Sequence, residues 1–149
     1  MDEKTYECEL CIRISLSDAH YAGNLIDGAH IMKLFGDVAT NLTIQIDGDE
    51  GLLRAYDNVE FLSPVYAGDF LTVKGKTTKI GNTSRKILFE AYKIIEASPN
   101  EKSESKCQIL QPPLLVAKAS GTSVVIKEKQ NNKNMTESND FVQLKIVSD

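Results

Sequence analysis

The sequence predicts a single α+β domain in which an antiparallel sheet is wrapped around one long central helix. The chain of 149 residues fits one domain with an ordinary core. One predominantly apolar segment within residues 17–42 is long enough for a helix, and nearly everything after it has the pattern of strands. Because neither element can bury its apolar face alone, the sheet must pack on that helix.

The first strand is predicted at residues 6–16, where apolar side chains fall on alternate positions. A polar loop follows, and Gly28 marks the predicted start of the helix. Apolar residues of the helix recur at spacings of three and four, and together they form an apolar surface wider than one stripe. We therefore expect the helix to be surrounded by other parts of the protein on most of its sides. Its polar positions form one narrow stripe, which is most simply a solvated strip: His30, Lys33, Asp37 and Asn41.

Four further strands are predicted after the helix, at residues 52–62, 70–80, 84–97 and 114–126. A tight turn at Gly81 and Asn82 joins the second and third of these into a hairpin. Residues 98–113 are polar and contain proline, which predicts a long functional or disordered loop; one use for it would be to wrap a neighbouring subunit. Residues 1–130 form the predicted domain, and residues 131–149 form a polar C-terminal tail.

The charge pattern excludes some classes of partner. A net charge of −4 leaves no basic surface, so nucleic acid and anionic membranes are poor partners. Asp2, Glu3 and Lys4 follow Met1 directly, without the apolar region of a secretory signal, and no apolar run approaches membrane-spanning length. We therefore expect a cytoplasmic protein.

The three cysteines predict neither a disulfide framework nor a metal site. Cys8 and Cys11 have the spacing of a metal-binding knuckle, but no second pair follows and the segment has the pattern of a strand. We expect Cys8, Cys11 and Cys107 to be reduced thiols.

Several motifs resemble those of a known family, the hotdog acyl-CoA enzymes. The loop and helix match at five positions: Asn24, Gly28, Ala29, Met32 and Asp37. Residues 59–69 resemble a strand motif ending in Phe-x-x-Pro-Val-x-x-Gly-Asp, and residues 81–84 give a third match. Residues 18–25, residues 36–38 and the pair at residues 60–61 are similar, more narrowly, to the CoA-dependent ammonia lyases of this fold.

The resemblance implies a carbon–nitrogen lyase that eliminates ammonia reversibly from a β-aminoacyl-CoA, as in the fermentation of amino acids such as lysine. The preferred substrate would be 3-aminobutyryl-CoA, which gives crotonyl-CoA, and β-alanyl-CoA would be next. An acyl-CoA thioesterase is one alternative, although Glu60 and the residues beside Gly28 depart from the thioesterase pattern. A regulator that binds acyl-CoA without catalysis is another, but neither terminus offers a basic helix for DNA.

Such an elimination needs a general base, a proton donor and dipoles aimed at the enolate oxygen, and it needs no redox cofactor. The unpaired amide groups at the helix start, near Gly28 and Ala29, are candidates for the oxyanion site. Asp37 and Glu60 are the candidate acid–base pair, with their roles left open. A surface acid on a helix and an exposed strand residue are the alternative interpretations of these two carboxylates.

The loop before the helix supplies further candidates, because its side chains could orient a thioester or an ammonium group. His20 and Asn24 are candidate catalytic residues, and Tyr21 is a candidate substrate-binding residue. Because CoA carries phosphates, the residues around the 81–84 turn are candidates for holding it: Lys79, Ser84, Arg85 and Lys86. The resemblance also implies a site shared across a homodimer, which could assemble further to a tetramer or hexamer.

Overall fold

The computed structural model describes residues 4–131 and the backbone of residues 147–148. One sheet with the strand order β2-β5-β4-β3-β1-β6 curves around one long helix, α1 (Gly28–Asp47). The strands are β1 (Glu7–Arg13), β2 (Leu52–Phe61), β3 (Phe70–Ile80), β4 (Ser84–Ala97), β5 (Cys107–Val124) and β6 (Val147–Ser148). The pairings among β1 to β5 are antiparallel, whereas β6 lies parallel to β1 against Cys11 and Ile12. This architecture confirms the predicted fold class.

Helix α1 begins at Gly28, as the sequence predicts. The Asp27 side chain caps it by accepting a hydrogen bond from the amide of His30, and Gly48 ends it with a positive φ of 67°. One broad face of the helix is buried against the sheet: Ile31, Leu34, Phe35, Val38, Ala39, Leu42, Thr43 and Asp47. Of the polar stripe, Lys33 and Asp37 are exposed, while His30 and Asn41 are half-buried.

The sheet contributes its inward-facing residues to the same core. Phe89 of β4 stacks on Phe35 of the helix with ring centroids 5.2 Å apart, and the ring of Tyr56 of β2 is tilted against Phe89 with centroids 6.0 Å apart. Gly75 of β3 lies where a Cβ would meet Val38 at 2.4 Å, so the helix approaches the backbone of β3 directly. The position of the helix, and therefore of its first turn, is fixed by these contacts.

The prediction of a loop over residues 98–113 is wrong for its second half, because β5 begins at Cys107. Residues 107–115 pair with β4 but not with β2, whose pairing with β5 stops at Ala117. Pro112 and Pro113 lie where the register with β4 shifts, between Ile109 and Leu114. Their missing amide protons therefore remove few hydrogen bonds from the sheet. The first strand is also shorter than predicted, because a single 3-10 turn occupies Leu16–Asp18.

The cysteines lie on β1 and at the start of β5. Cys8 and Cys11 are three residues apart on a strand and therefore project from opposite faces, which excludes a shared metal knuckle. Burial, with a smaller contribution from Glu9, raises the pKa of the Cys8 thiol to about 11, so this thiol is protonated at neutral pH. No helix of the described residues is long and apolar enough to cross a membrane.

Two buried ion pairs connect distant elements. Arg85 of β4 donates from Nε and Nη2 to the carboxylate of Asp47 at the end of α1, at 2.9 and 2.7 Å. Lys93 of β4 lies 3.0 Å from Oδ2 of Asp69, in the connection before β3, and donates to the carbonyl of Pro64 at 2.9 Å. The second pair holds residues 64–69, of which Pro64 and Val65 form part of the wall described next.

The predicted tail at residues 131–149 lies almost entirely outside the described residues. Its described part is Asn131, whose amide donates to the carbonyl of Asp47, and the backbone of β6.

Candidate functional site

A cavity of about 310 Å³ lies beside the start of the helix. Its wall is formed by residues 25–28 with Ile31, by residues 61–65 after β2, and by Val116 of β5. Two contacts join the first two of these segments: the amide of Ile26 donates to the carbonyl of Val65 at 3.0 Å, and Leu25 and Tyr66 form an isolated β-bridge. The cavity is therefore built between the loop that enters α1 and the chain that leaves β2.

The first turn of α1 opens beside this cavity. The Asp27 side chain accepts a hydrogen bond from the amide of His30. Within the described part of the chain, nothing accepts a hydrogen bond from the amides of Gly28 and Ala29. Unpaired amides at the start of a 20-residue helix attract negative charge. They can hold the carbonyl oxygen of a thioester as it becomes an enolate.

Phe61, the last residue of β2, covers Gly28. A Cβ placed on Gly28 would lie 2.4 Å from Cζ of the Phe61 ring and less than 3 Å from both Cε atoms. A side chain at position 28 would therefore displace the ring that forms one wall of the cavity.

We expect Gly28→Ala to push the Phe61 ring aside and to change the stability of the fold by less than about 1 kcal/mol, because Phe61 is 53% exposed and its ring can move towards solvent. Gly36→Ala is the matched control: it lies on the same helix and should stabilise the protein by about 0.5–1 kcal/mol, because no described atom outside the adjacent helix backbone lies within 4 Å of its Cβ position. Urea denaturation midpoints measure both effects. The double variant Gly28→Ala with Phe61→Ala should cost less than the sum of the two single changes, and additivity would contradict the contact.

The predicted loop residues lie at the mouth of this region. His20 is 61% exposed, with Nδ1 3.8 Å from Oδ2 of Asp27, and its ring meets the exposed ring of Tyr21 edge-on. The amides of His20 and Tyr21 both donate to the carbonyl of Leu25, which folds the loop back towards the helix start. Asn24 has a positive φ of 63°, and its carbonyl accepts from the amide of Ala67. Among the contacts of the described residues, His20 is the one of these three whose side chain lies within 4 Å of a polar side chain at the helix start.

Two residues of this region, Asp27 and His30, have no role predicted from the sequence. Asp27 is the helix cap and also lines the cavity; an Asp immediately before the first helical residue was the available signal. His30 is half-buried, with Nε2 3.6 Å from Oδ2 of Asp18, and within the described residues this atom has no hydrogen-bond partner. The sequence placed His30 in the polar stripe, and only the folded loop brings Asp18 to it.

Within one subunit the two predicted acid–base residues do not meet. Asp37 lies on the exposed side of α1, where Oδ2 accepts from Nζ of Lys33 at 3.2 Å. Val59 and Phe61 are opposite the buried residues Ala119 and Ala117, so Glu60 projects from the other face of the sheet, 3.3 Å from Lys118. The sheet therefore separates the two carboxylates.

The predicted CoA-binding residues divide into two groups. Lys79 and Lys86 are opposite each other across the hairpin and both are exposed, next to Ser84 at the turn. Arg85 is different: it is 3% exposed, and it binds Asp47 and the carbonyls of Gly81 and Ser84. Because it points into the core and four of its five N–H donors are already used, the prediction that Arg85 binds CoA phosphates is wrong.

Comparisons with known proteins agree with this geometry. Residues 24–95 match the Thioesterase superfamily. Over 121 residues the chain is 55% identical to a protein named 3-aminobutyryl-CoA ammonia lyase from Acetoanaerobium sticklandii, covering 81% of this chain and 95% of that protein. The solved beta-alanyl-CoA:ammonia lyase from Clostridium propionicum is 36% identical, with a TM-score of 0.78 over 88% of this chain and 91% of that one.

A more distant solved structure shares the fold alone. It is a hexameric hotdog-fold thioesterase of Campylobacter jejuni, 24% identical, with a TM-score of 0.61 over 82% of this chain and 85% of that one.

Proposed function

The chain belongs to the CoA ammonia-lyase family of the hotdog fold, and on that premise we propose that it eliminates ammonia reversibly from 3-aminobutyryl-CoA to give crotonyl-CoA. β-Alanyl-CoA is the second candidate substrate, because the related solved lyase carries that name. The observation that carries the proposal is the pair of unpaired amides, Gly28 and Ala29, at the edge of a largely apolar cavity. This arrangement suits a short acyl chain whose thioester oxygen becomes negative during the reaction.

The reaction removes a proton from the carbon next to the thioester carbonyl. The electron pair left behind is delocalised onto the carbonyl oxygen, where the helix-start amides stabilise it, and then forms the carbon–carbon double bond. The bond to nitrogen breaks with its electron pair on nitrogen, so a substrate amine that is protonated leaves as ammonia. The net change is elimination without oxidation or reduction, so acid–base groups and oriented dipoles are sufficient.

Asp37 and Glu60 remain our candidates for the proton transfers, with the two carboxylates contributed by different subunits. Two facts support this arrangement: the sheet separates them within one subunit, and Glu60 lies on β2, at one edge of the sheet. Strand pairing at that edge would keep the helices of both copies on one face of the joined sheet, so the second copy would instead pack its helix side against the outer face, where Glu60 lies. A homodimer would then be the minimal active unit, and a tetramer or hexamer could be built from it.

Lys79 and Lys86 are our candidates for the phosphates of CoA, with Ser84 and the turn amides assisting. Both ammonium groups are on the exposed face of the hairpin, and one charge on each of two neighbouring strands is a suitable arrangement for a phosphate. We expect the enzyme to act in the cytoplasm, where acyl-CoA thioesters are available to it.

The experiment supplies 3-aminobutyryl-CoA and measures enoyl-thioester absorbance, ammonia and free thiol together. We expect ammonia and crotonyl-CoA to appear in equal amounts, and the reverse reaction from crotonyl-CoA and ammonium. Butyryl-CoA, which has no amine, is the matched control and should give no product. Release of thiol without ammonia would contradict the proposal in favour of a thioesterase, and saturable binding without either product would indicate a regulator.

A further inference from the structure

The cavity has one charged residue in its described wall, and that residue is Asp27. The rest of the wall is apolar apart from backbone groups and the hydroxyl of Ser63. A carboxylate in such a wall needs a partner, because an isolated charge facing apolar surroundings is costly.

Only one of the two carboxylate oxygens of Asp27 has a hydrogen bond in the described fold. Oδ1 accepts from the amide of His30 at 3.1 Å and caps the helix, whereas no described residue donates a hydrogen bond to Oδ2. The cation closest to Oδ2 would be a protonated His20, at 3.8 Å, and that side chain is largely in solvent. The Asp27 side chain itself is 25% exposed, so Oδ2 is sheltered but accessible.

The substrate of the proposed function supplies the matching charge. A β-aminoacyl thioester carries its ammonium group on the second carbon from the thioester carbonyl. If the carbonyl oxygen lies at the amides of Gly28 and Ala29, that ammonium lies within a few ångströms of the residue that precedes them. Without a cation between them, the negative charge of the Asp27 carboxylate would repel the negative charge that develops on the enolate oxygen at the same end of the helix.

We propose that Oδ2 of Asp27 binds the β-ammonium group of the substrate and thereby selects β-amino thioesters over unsubstituted ones. This inference rests on the proposed function and adds a substrate-binding residue to it. Oδ1 keeps the helix capped while Oδ2 holds the amine beside the thioester, so one carboxylate positions both reacting ends of the substrate.

The substitution that separates the two roles of this residue is Asp27→Asn. Asparagine caps helices about as well as aspartate, so the fold is retained while the charge is lost. Asp49→Asn is the matched control: Asp49 also accepts from a backbone amide, that of Gly51, but lies beyond the other end of the helix. Urea denaturation midpoints of both variants should lie close to that of the wild type.

We expect Asp27→Asn to lower kcat/KM for 3-aminobutyryl-CoA by about 30-fold, the effect of losing one charge-assisted hydrogen bond. Its Kd for butyryl-CoA should change by less than about 3-fold, because that ligand has no amine to lose the contact. An equal loss for both ligands, or no loss for either, would overturn the inference.

The two proposals fail separately. If the wild type releases no ammonia, the proposed function fails, and the Kd values of 3-aminobutyryl-CoA and butyryl-CoA still test Asp27. A wild type that prefers the amino ligand, and an Asp27→Asn variant that does not, would support the amine site. A wild type that lyses 3-aminobutyryl-CoA and an equally active Asp27→Asn variant would retain the function and overturn the site.

Discussion

Asp37→Asn and Glu60→Gln are each expected to lower ammonia release by at least about 100-fold, and the two inactive chains together are expected to recover activity. If each site takes Asp37 from one subunit and Glu60 from the other, a mixed dimer contains one site with neither substitution. Random pairing makes about half of the dimers mixed, so about one quarter of the wild-type activity should return in the whole mixture. Co-expression with two affinity tags isolates the mixed dimers, and this doubly tagged fraction should have about one half of the wild-type specific activity.

Stability provides the control for this experiment. Both carboxylates are in exposed ion pairs, Asp37 with Lys33 and Glu60 with Lys118, and such pairs contribute about 0–1 kcal/mol. The variants should therefore unfold close to the wild type in urea. Loss of activity without recovery in the mixed dimer would contradict the shared site, and retained activity in either single variant would remove that residue from the mechanism.

Lys93→Met is expected to lower the free energy of unfolding by about 3–5 kcal/mol, the largest effect on stability that we predict. The substitution removes the partner of a buried carboxylate, because Lys93 and Asp69 are both almost completely buried with Nζ 3.0 Å from Oδ2. Asp69 also accepts from the amides of Tyr66 and Ala97, at 2.8 Å each, so its charge cannot move to solvent without breaking the connection before β3. Urea denaturation measures the loss.

Two variants test the explanation. The double variant Lys93→Met with Asp69→Asn removes both charges and should recover part of the stability, because no buried charge is left unpaired. Lys33→Met removes the same kind of side chain from an exposed pair and should cost no more than about 1 kcal/mol. A Lys93→Met variant as stable as Lys33→Met would show that the buried pair contributes little.

The sequence predicted those parts of the fold whose signals are local. The period-two pattern gave β3 and β4 their observed bounds, and Gly28 gave the helix start. The bounds of β5 were missed because Pro112 and Pro113 indicate a loop, and only tertiary pairing shows that they lie beyond the end of β2. Local sequence patterns do not indicate whether a segment of a strand pairs with one neighbouring strand or with two.

The candidate site was less predictable than the fold, for a similar reason. Arg85 alternates with Ile87 and Phe89 and so belongs to the buried face, yet its partner Asp47 is 38 residues away and only the folded chain joins them. The separation of Asp37 from Glu60 likewise depends on which face of β2 is turned inward. Asp27 carried a readable capping signal, but its place in the wall of a cavity depends on residues 61–65, which follow β2.

Strand β6 covers little of the sheet's second edge. Its two residues lie against Cys11 and Ile12 of β1, so within the described chain the longest free edge is that of β2. If β2 of one copy pairs with β2 of another about a two-fold axis, each copy uses the same edge and both helices lie on one face of the joined sheet. The outer face, where Glu60 lies, then stays available to a further copy, so a shared site of Asp37 and Glu60 predicts contacts between faces in addition to strand pairing.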